Sequence, residues 1–318
     1  MAAQPGMLLR MDGPEHLAVR RMVAKHFTVR KIASWEARIA ALVEHYLDEM
    51  ESAESPANLV SAFALPIPSI VISDLLGVPE RDRTSFQKNS EVLIDLAQPQ
   101  EIRGAAAAAM QNYVYTLVQA ARDSPGGDIL GELVRDHGAE LSDAEITTIG
   151  FLLLIARHET TANMIALGAV VLMEHPEQLK AMLADPEAVG PAVEELLRYL
   201  SVVTASLERT ATEDIDIAGH HISAGDYVTF SLLAANRDPA QLGNPDSFDI
   251  SRRPTAHTAF GFGPHHCLGQ QLARLELRIA FPALFRRFPH LRLEKPATDL
   301  DFRKTTFVYG LWDLPVAW

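Results

Sequence analysis

Along most of this chain apolar residues recur every three or four positions, the spacing that lines one face of an α-helix, and the period gives way to short alternating runs only after about residue 210. The pattern predicts a first helix from Pro14 to Ala24, with Leu17, Val19 and Val23 on its buried side and His16 and Arg20 one turn apart on one face. A second is predicted from Val29 to Glu51, where Ile32, Trp35, Ile39, Leu42, Val43 and Tyr46 fall at helical spacing. Leu59 to Leu76 is apolar, but Pro66 and Pro68 near its start place the helix after them. Further helices are expected over Arg81 to Asp95, Ile102 to Arg122 and Pro191 to Leu200, with a turn at Ser124-Pro-Gly-Gly127. A last long helix from Leu268 to Phe288 presents Leu272, Leu275, Leu277, Ile279 and Leu284 to its neighbours.

Ser142-Asp-Ala-Glu145 is a capping box, in which the serine accepts from the helix start and the glutamate reaches back. It launches an unusually long helix that ends before Pro176; about 30 residues give roughly 45 Å, enough to traverse a domain. Its apolar stretch, Phe151 to Met173, carries Arg157, His158, Glu159 and Asn163, which are costly in lipid, so it reads as a buried helix and not as a membrane span. Asp214 to Gly219 and Tyr227 to Phe230 read as short strands in a hairpin-like arrangement. No repeat, low-complexity linker or domain boundary interrupts the chain. The expectation is a single domain over 1–318, mainly α with a small β portion.

Charge and cysteine usage narrow the function. With 41 acidic against 28 basic residues the net charge is -13, which disfavours a nucleic-acid binder that must neutralise phosphates. The first ten residues lack an apolar stretch followed by a small-residue cleavage site, so a secretory signal is not supported, and a cytoplasmic, reducing setting suits the one cysteine. A lone thiol cannot close an internal disulfide, and Cys267 sits in the glycine-rich run Phe260-Gly-Phe-Gly-Pro-His-His-Cys-Leu-Gly269 just before the last helix. Placed there, near unpaired backbone N–H groups and the positive end of a helix dipole, it reads as a metal-binding thiolate. Gly261, Gly263 and Gly269 would let the backbone approach a flat, bulky cofactor.

The Phe-Gly-Phe-Gly before the cysteine and the Leu-Gly after it resemble the haem-binding signature of cytochrome P450, especially of its soluble bacterial, actinobacterial-type class. The resemblance spans nearly the whole chain. It implies the cytochrome P450 fold, haem b with Cys267 as its axial thiolate, and monooxygenase activity that inserts one oxygen atom of O2 into a small, largely apolar organic substrate, as in secondary metabolism. Glu195 and Arg198 match the family's Glu-x-x-Arg pair, with Arg252 as its downstream arginine, while His16, Arg20, Arg209 and His265 match contacts to the haem propionates. Buried carboxylates need such partners. In Ala156-Arg-His-Glu-Thr-Thr161, Glu159 and Thr160 match the acid and alcohol that organise proton delivery during oxygen activation.

The resemblance further implies electrons from a ferredoxin and a ferredoxin reductase, with Arg252, Arg253, Arg274 and Arg278 as cations for an acidic partner. Leu154, Arg157, Thr161, Val202 to Ala205 and Ile94 match pocket positions.

Two departures stand out. Arg157 replaces the family's glycine over the haem, where it would meet substrate, block oxygen or swing to a carboxylate. The match also begins about 80 residues into the family's pattern. They keep open a peroxide-dependent or non-oxygenating haem-thiolate enzyme, or an inactive haem-binding remnant. Taken singly, each motif has an ordinary reading: a solvated Glu195–Arg198 bridge, surface His16 and Arg20, a core cysteine, and a Thr160 hydroxyl bonded to its own i−4 carbonyl.

Overall fold

Helix dominates the computed structural model, which describes residues 5–206, 208–252, 256–304, 306 and 308–318, apart from the side chains of Ile94 and His158. In chain order the helices are α1 (Gly13–Ala24), α2 (Val29–Ala33), α3 (Glu36–Ser52), α4 (Pro66–Leu75), α5 (Arg83–Ile94), α6 (Gln100–Asp123), α7 (Ile129–His137), α8 (Asp143–Glu174), α9 (Pro176–Ala184), α10 (Val189–Leu200), α11 (Leu232–Ala235) and α12 (Gln270–Arg287). The strands are β1 (Ala57–Asn58), β2 (Arg209–Thr210), β3 (Ile215–Ile217), β4 (His220–Ile222), β5 (Tyr227–Val228), β6 (Arg292–Leu293) and β7 (Pro315–Ala317). They form an antiparallel β1-β7-β6 sheet and the pairs β2-β5 and β3-β4.

The 32-residue α8 organises the core. Its capping box is made: Ser142 Oγ accepts from the Glu145 N–H at 3.3 Å, and Glu145 Oε2 accepts from the Ser142 N–H at 2.8 Å. A helix apolar around its whole circumference needs cover on every side. α4, α6, α10 and α12 supply it. Where α8 crosses α12 the backbones come so close that a side-chain carbon on Gly168 would collide with the Phe281 ring.

Local chemistry moved several predicted boundaries. The second helix is split, because the Ser34 hydroxyl donates to Lys31 O at 2.6 Å and the Trp35 N–H turns to Ile32 O at 3.0 Å, so α2 stops and α3 begins. α4 starts at Pro66 instead of after Pro68, since first-turn residues have no N–H partner to lose. Leu17 is 42% exposed, while Val19 and Val23 are buried with His16. The hairpin forms between β3 and β4 through Ala218 and Gly219, both at positive φ, as a two-residue turn of that hand requires. Tyr227–Val228 pairs with Arg209–Thr210 instead, Arg209 facing Val228.

Candidate functional site

The loop before α12 is folded by its own backbone. Gly261 and Gly263 take φ of 70° and 73°, and the Cys267 N–H reaches back to Phe260 O at 2.9 Å while the His266 N–H reaches Gly263 O at 2.9 Å. α12 opens at Gln270, so Cys267 stands three residues before it and not inside its first turn. Burial pushes the Cys267 thiol up; a hydrogen bond from the Gly269 N–H and the cations Arg157, Arg20 and Arg274 act in the opposite sense.

Arg157 projects from α8 to this loop. Its Nη1 donates to Gly269 O at 3.3 Å, and Nη2 lies 2.6 Å from a Glu276 carboxylate oxygen on α12. Both side chains are buried, Glu276 completely. Beyond this ion pair, Arg157 Nε and Nη2 and the Glu276 carboxylate have no hydrogen-bond partner among the described residues. Burial pushes the Glu276 carboxyl up, against the pull of Arg157.

On the α1 side, Arg20 Nη2 donates to His266 O beside Cys267, the imidazole of His16 stacks on His265 at 4.2 Å, and His265 Nε2 meets Asp12 Oδ1 at 2.9 Å. His16 is 1% exposed and its Nε2 has no hydrogen-bond partner. Burial lowers its pKa, helped by His265 and Arg20. Arg209 is half-buried on β2.

Glu195, Arg198 and Arg252 meet in the interior. Arg198 donates to both Glu195 oxygens at 2.8 Å, to Asn236 O at 2.9 Å, to Pro245 O at 2.8 Å and to Ser247 O at 3.1 Å, and Arg252 Nε reaches Glu195 Oε1 at 3.3 Å. Glu159 and Thr160 part company. Glu159 is 1% exposed and ion-paired with Arg303 Nη1, Asn163 Nδ2 lying 3.4 Å from it. Burial pushes this carboxyl up, while Arg303 and Asn163 pull it down. The Thr160 hydroxyl donates to Ala156 O at 3.0 Å, one turn back.

Of the cations offered to an acidic partner, Arg252 is held by Glu195, and Arg274 grips Glu194 at 2.7 and 2.9 Å beneath the Phe260 ring; Arg278 is exposed, and Arg253 lies outside the described residues. Leu154, Thr161 and Val202 are buried and Ala205 is half-buried, while the Ile94 side chain lies outside the described set.

Sequence reading missed Glu276, Glu194 and Arg303. Glu276 carried a signal, a charge among the apolar positions of the last helix, whereas nothing in the sequence near Arg303 announced a partner 144 residues away.

The family model "Cytochrome P450" matches residues 100–308. Cytochrome P450 105C1 from Streptomyces sp is 48% identical over 299 residues, covering 94% of this chain and 78% of that protein. Pentalenic acid synthase from Streptomyces avermitilis is 45% identical, covering 98% of this chain and 77% of that protein. The crystal structure of CYP105P1 in complex with filipin I superposes with a TM-score of 0.95 at 44% identity, covering 100% of this chain and 81% of that one. Among the described residues no helix is long and apolar enough to cross a membrane.

Proposed function

Since this chain belongs to the cytochrome P450 family, whose enzymes hold haem iron through a cysteine thiolate, we propose that it is a monooxygenase in which Cys267 is the iron ligand. The substrate is a small, largely apolar organic molecule, and one atom of O2 is inserted into it. The observation that carries this reading is the setting of Cys267, a half-buried cysteine in a loop folded by Gly261 and Gly263 at positive φ, with the Cys267 N–H bonded to Phe260 O and Arg20 donating to the neighbouring His266 O. That setting suits a metal-bound thiolate. The buried His16 Nε2, with no hydrogen-bond partner, suits an anionic group such as a propionate arriving beside Arg20 and His265.

Bound haem supplies the redox chemistry at iron and the activation of oxygen. The chain's own residues bind, orient and move protons. His16, Arg20, His265 and, from β2, Arg209 hold the carboxylates of the cofactor. Thr160 exchanges its Ala156 carbonyl for a water, and Glu159, once released by Arg303, takes up a proton from solvent and passes it to that water. Glu195, Arg198 and Arg252 fix α10 to the segment that leads into the cysteine loop. Electrons come from a ferredoxin and its reductase, in a single-domain cytoplasmic protein that uses neither nucleic acid nor membrane. The names of relatives such as pentalenic acid synthase support a secondary-metabolite substrate.

A reduced carbon monoxide difference spectrum tests the ligand. The wild type is expected to give the thiolate band and Cys267→Ala to lose it; an unchanged spectrum in the variant would remove the basis of the assignment.

A further inference from the structure

Two glutamates stand next to each other on α10 and face different parts of the molecule. Glu195 holds Arg198 and Arg252 in the interior, whereas Glu194 takes hold of the cysteine loop. Arg274 on α12 donates to it twice, Nε to Oε1 at 2.7 Å and Nη2 to Oε2 at 2.9 Å, a fork that fixes direction as well as charge. His257 Nε2, where the chain enters the loop, lies 3.1 Å from the same Oε2. The His257 side chain is 5% exposed, so the carboxylate reaches it inside the fold.

From these two partners the contacts run to both limbs of the loop. On the entering limb His257 Nδ1 accepts from the Ala259 N–H at 3.3 Å, which leaves the ring proton on Nε2, toward Glu194. The next residue, Phe260, has its ring against the Arg274 guanidinium at 4.6 Å. On the leaving limb Arg274 Nη1 donates to Gln270 Oε1 at 2.6 Å, and Gln270 Nε2 meets His266 Nδ1 at 2.8 Å. Between the limbs the Cys267 N–H closes on Phe260 O. Glu194 is the member of this circuit that comes from outside the loop and its helix.

We infer that Glu194 is a positioning residue for Cys267: it draws the two limbs of the cysteine loop together, through His257 on one and through Arg274 with Gln270 on the other, and so sets where the sulfur stands. That this placement serves an iron rests on the haem-thiolate reading above; the tether itself needs only the contacts just described. Glutamine in its place keeps the shape but offers one acceptor oxygen where the fork needs two.

Amide hydrogen exchange of the full-length, haem-loaded protein tests the tether without turnover. The Cys267 and His266 N–H groups, bonded to Phe260 O and Gly263 O, report on the loop, and the Ile146 N–H, bonded to Ser142 O at 3.0 Å, reports on α8 as a reference. Glu194→Gln is expected to exchange at least about ten-fold faster at the two loop amides with Ile146 unmoved. Glu194→Asp, which keeps two oxygens on a shorter stem, should fall between. Arg274→Lys opens the same fork from α12; it should move the same two amides, and it serves in place of the glutamine variant if that one does not fold. Loop amides that keep the wild-type rate in folded variants, or that speed up only in step with Ile146 as a merely structural role would make them, overturn the inference.

A reduced carbon monoxide spectrum of the same samples separates this inference from the reading beneath it. Absence of the thiolate band in the wild type removes the haem-thiolate reading, whereas a wild-type thiolate band with unmoved loop amides in Glu194→Gln sinks only the tether. The tether predicts that the variant loses part of that band. A whole band beside freed loop amides would show that something other than Glu194 positions the sulfur.

Discussion

Arg198→Lys is the perturbation that probes the interior most directly. Arg198 is 2% exposed and its guanidinium makes five hydrogen bonds, to both Glu195 oxygens and to the carbonyls of Asn236, Pro245 and Ser247. These acceptors belong to α10 and to two later loops, so the planar fork joins three parts of the chain that no strand or helix connects. Lysine keeps the charge but presents one nitrogen on a flexible stem, and it cannot reach a carboxylate and three carbonyls together. Leaving two or three of these buried carbonyls without a donor costs about 1–3 kcal/mol each, so about 3–5 kcal/mol together. For a chain of this size 1 kcal/mol moves the melting temperature by roughly 2 °C, so Arg198→Lys should melt about 6–10 °C lower. Differential scanning calorimetry of the two proteins in one buffer reads the shift directly. A lysine variant melting within about 2 °C of wild type would show that the fork is not what holds these segments.

Two further outcomes follow from buried groups. Glu194 lies between Arg274 and His257; burial alone would raise its pKa, but their hydrogen bonds bring it down to about 2. A carboxyl depressed in the fold stabilises above its unfolded value, about 4.3, and that stability drains away as pH falls toward 2; Glu194→Gln should therefore flatten the acid side of a plot of urea midpoint against pH between those values, and an unchanged slope would contradict the assignment. Gly310 lies directly against Asn163, whose side chain accepts from the Leu311 N–H at 3.2 Å and donates to Glu159 O at 2.8 Å. Gly310→Ala must displace that amide and should cost about 1–3 kcal/mol, read as a lower urea midpoint; a neutral result would mean the Asn163 network carries no stability.

How the chain would divide into helices was legible because the apolar period and the caps are local. Ser142 and Glu145 meet within one turn, so the launch of α8 needed no knowledge of its neighbours. Where the prediction slipped, a short-range competitor acted: the Ser34 hydroxyl took the carbonyl a continuous second helix required, and β5 chose β2 because Ala218 and Gly219 had already closed β3 on β4.

The sequence by itself determined most of the long helices and the family, because helical period, glycine punctuation and a single cysteine in a distinctive loop are properties of neighbours along the chain. Only the tertiary structure decided partners. Arg303 finds Glu159, Arg274 turns inward to Glu194, and Arg157 reaches from α8 to Glu276 and Gly269. Pairing of buried charges depends on which helix faces which at a few ångströms, and that proximity is created by packing between elements far apart in sequence.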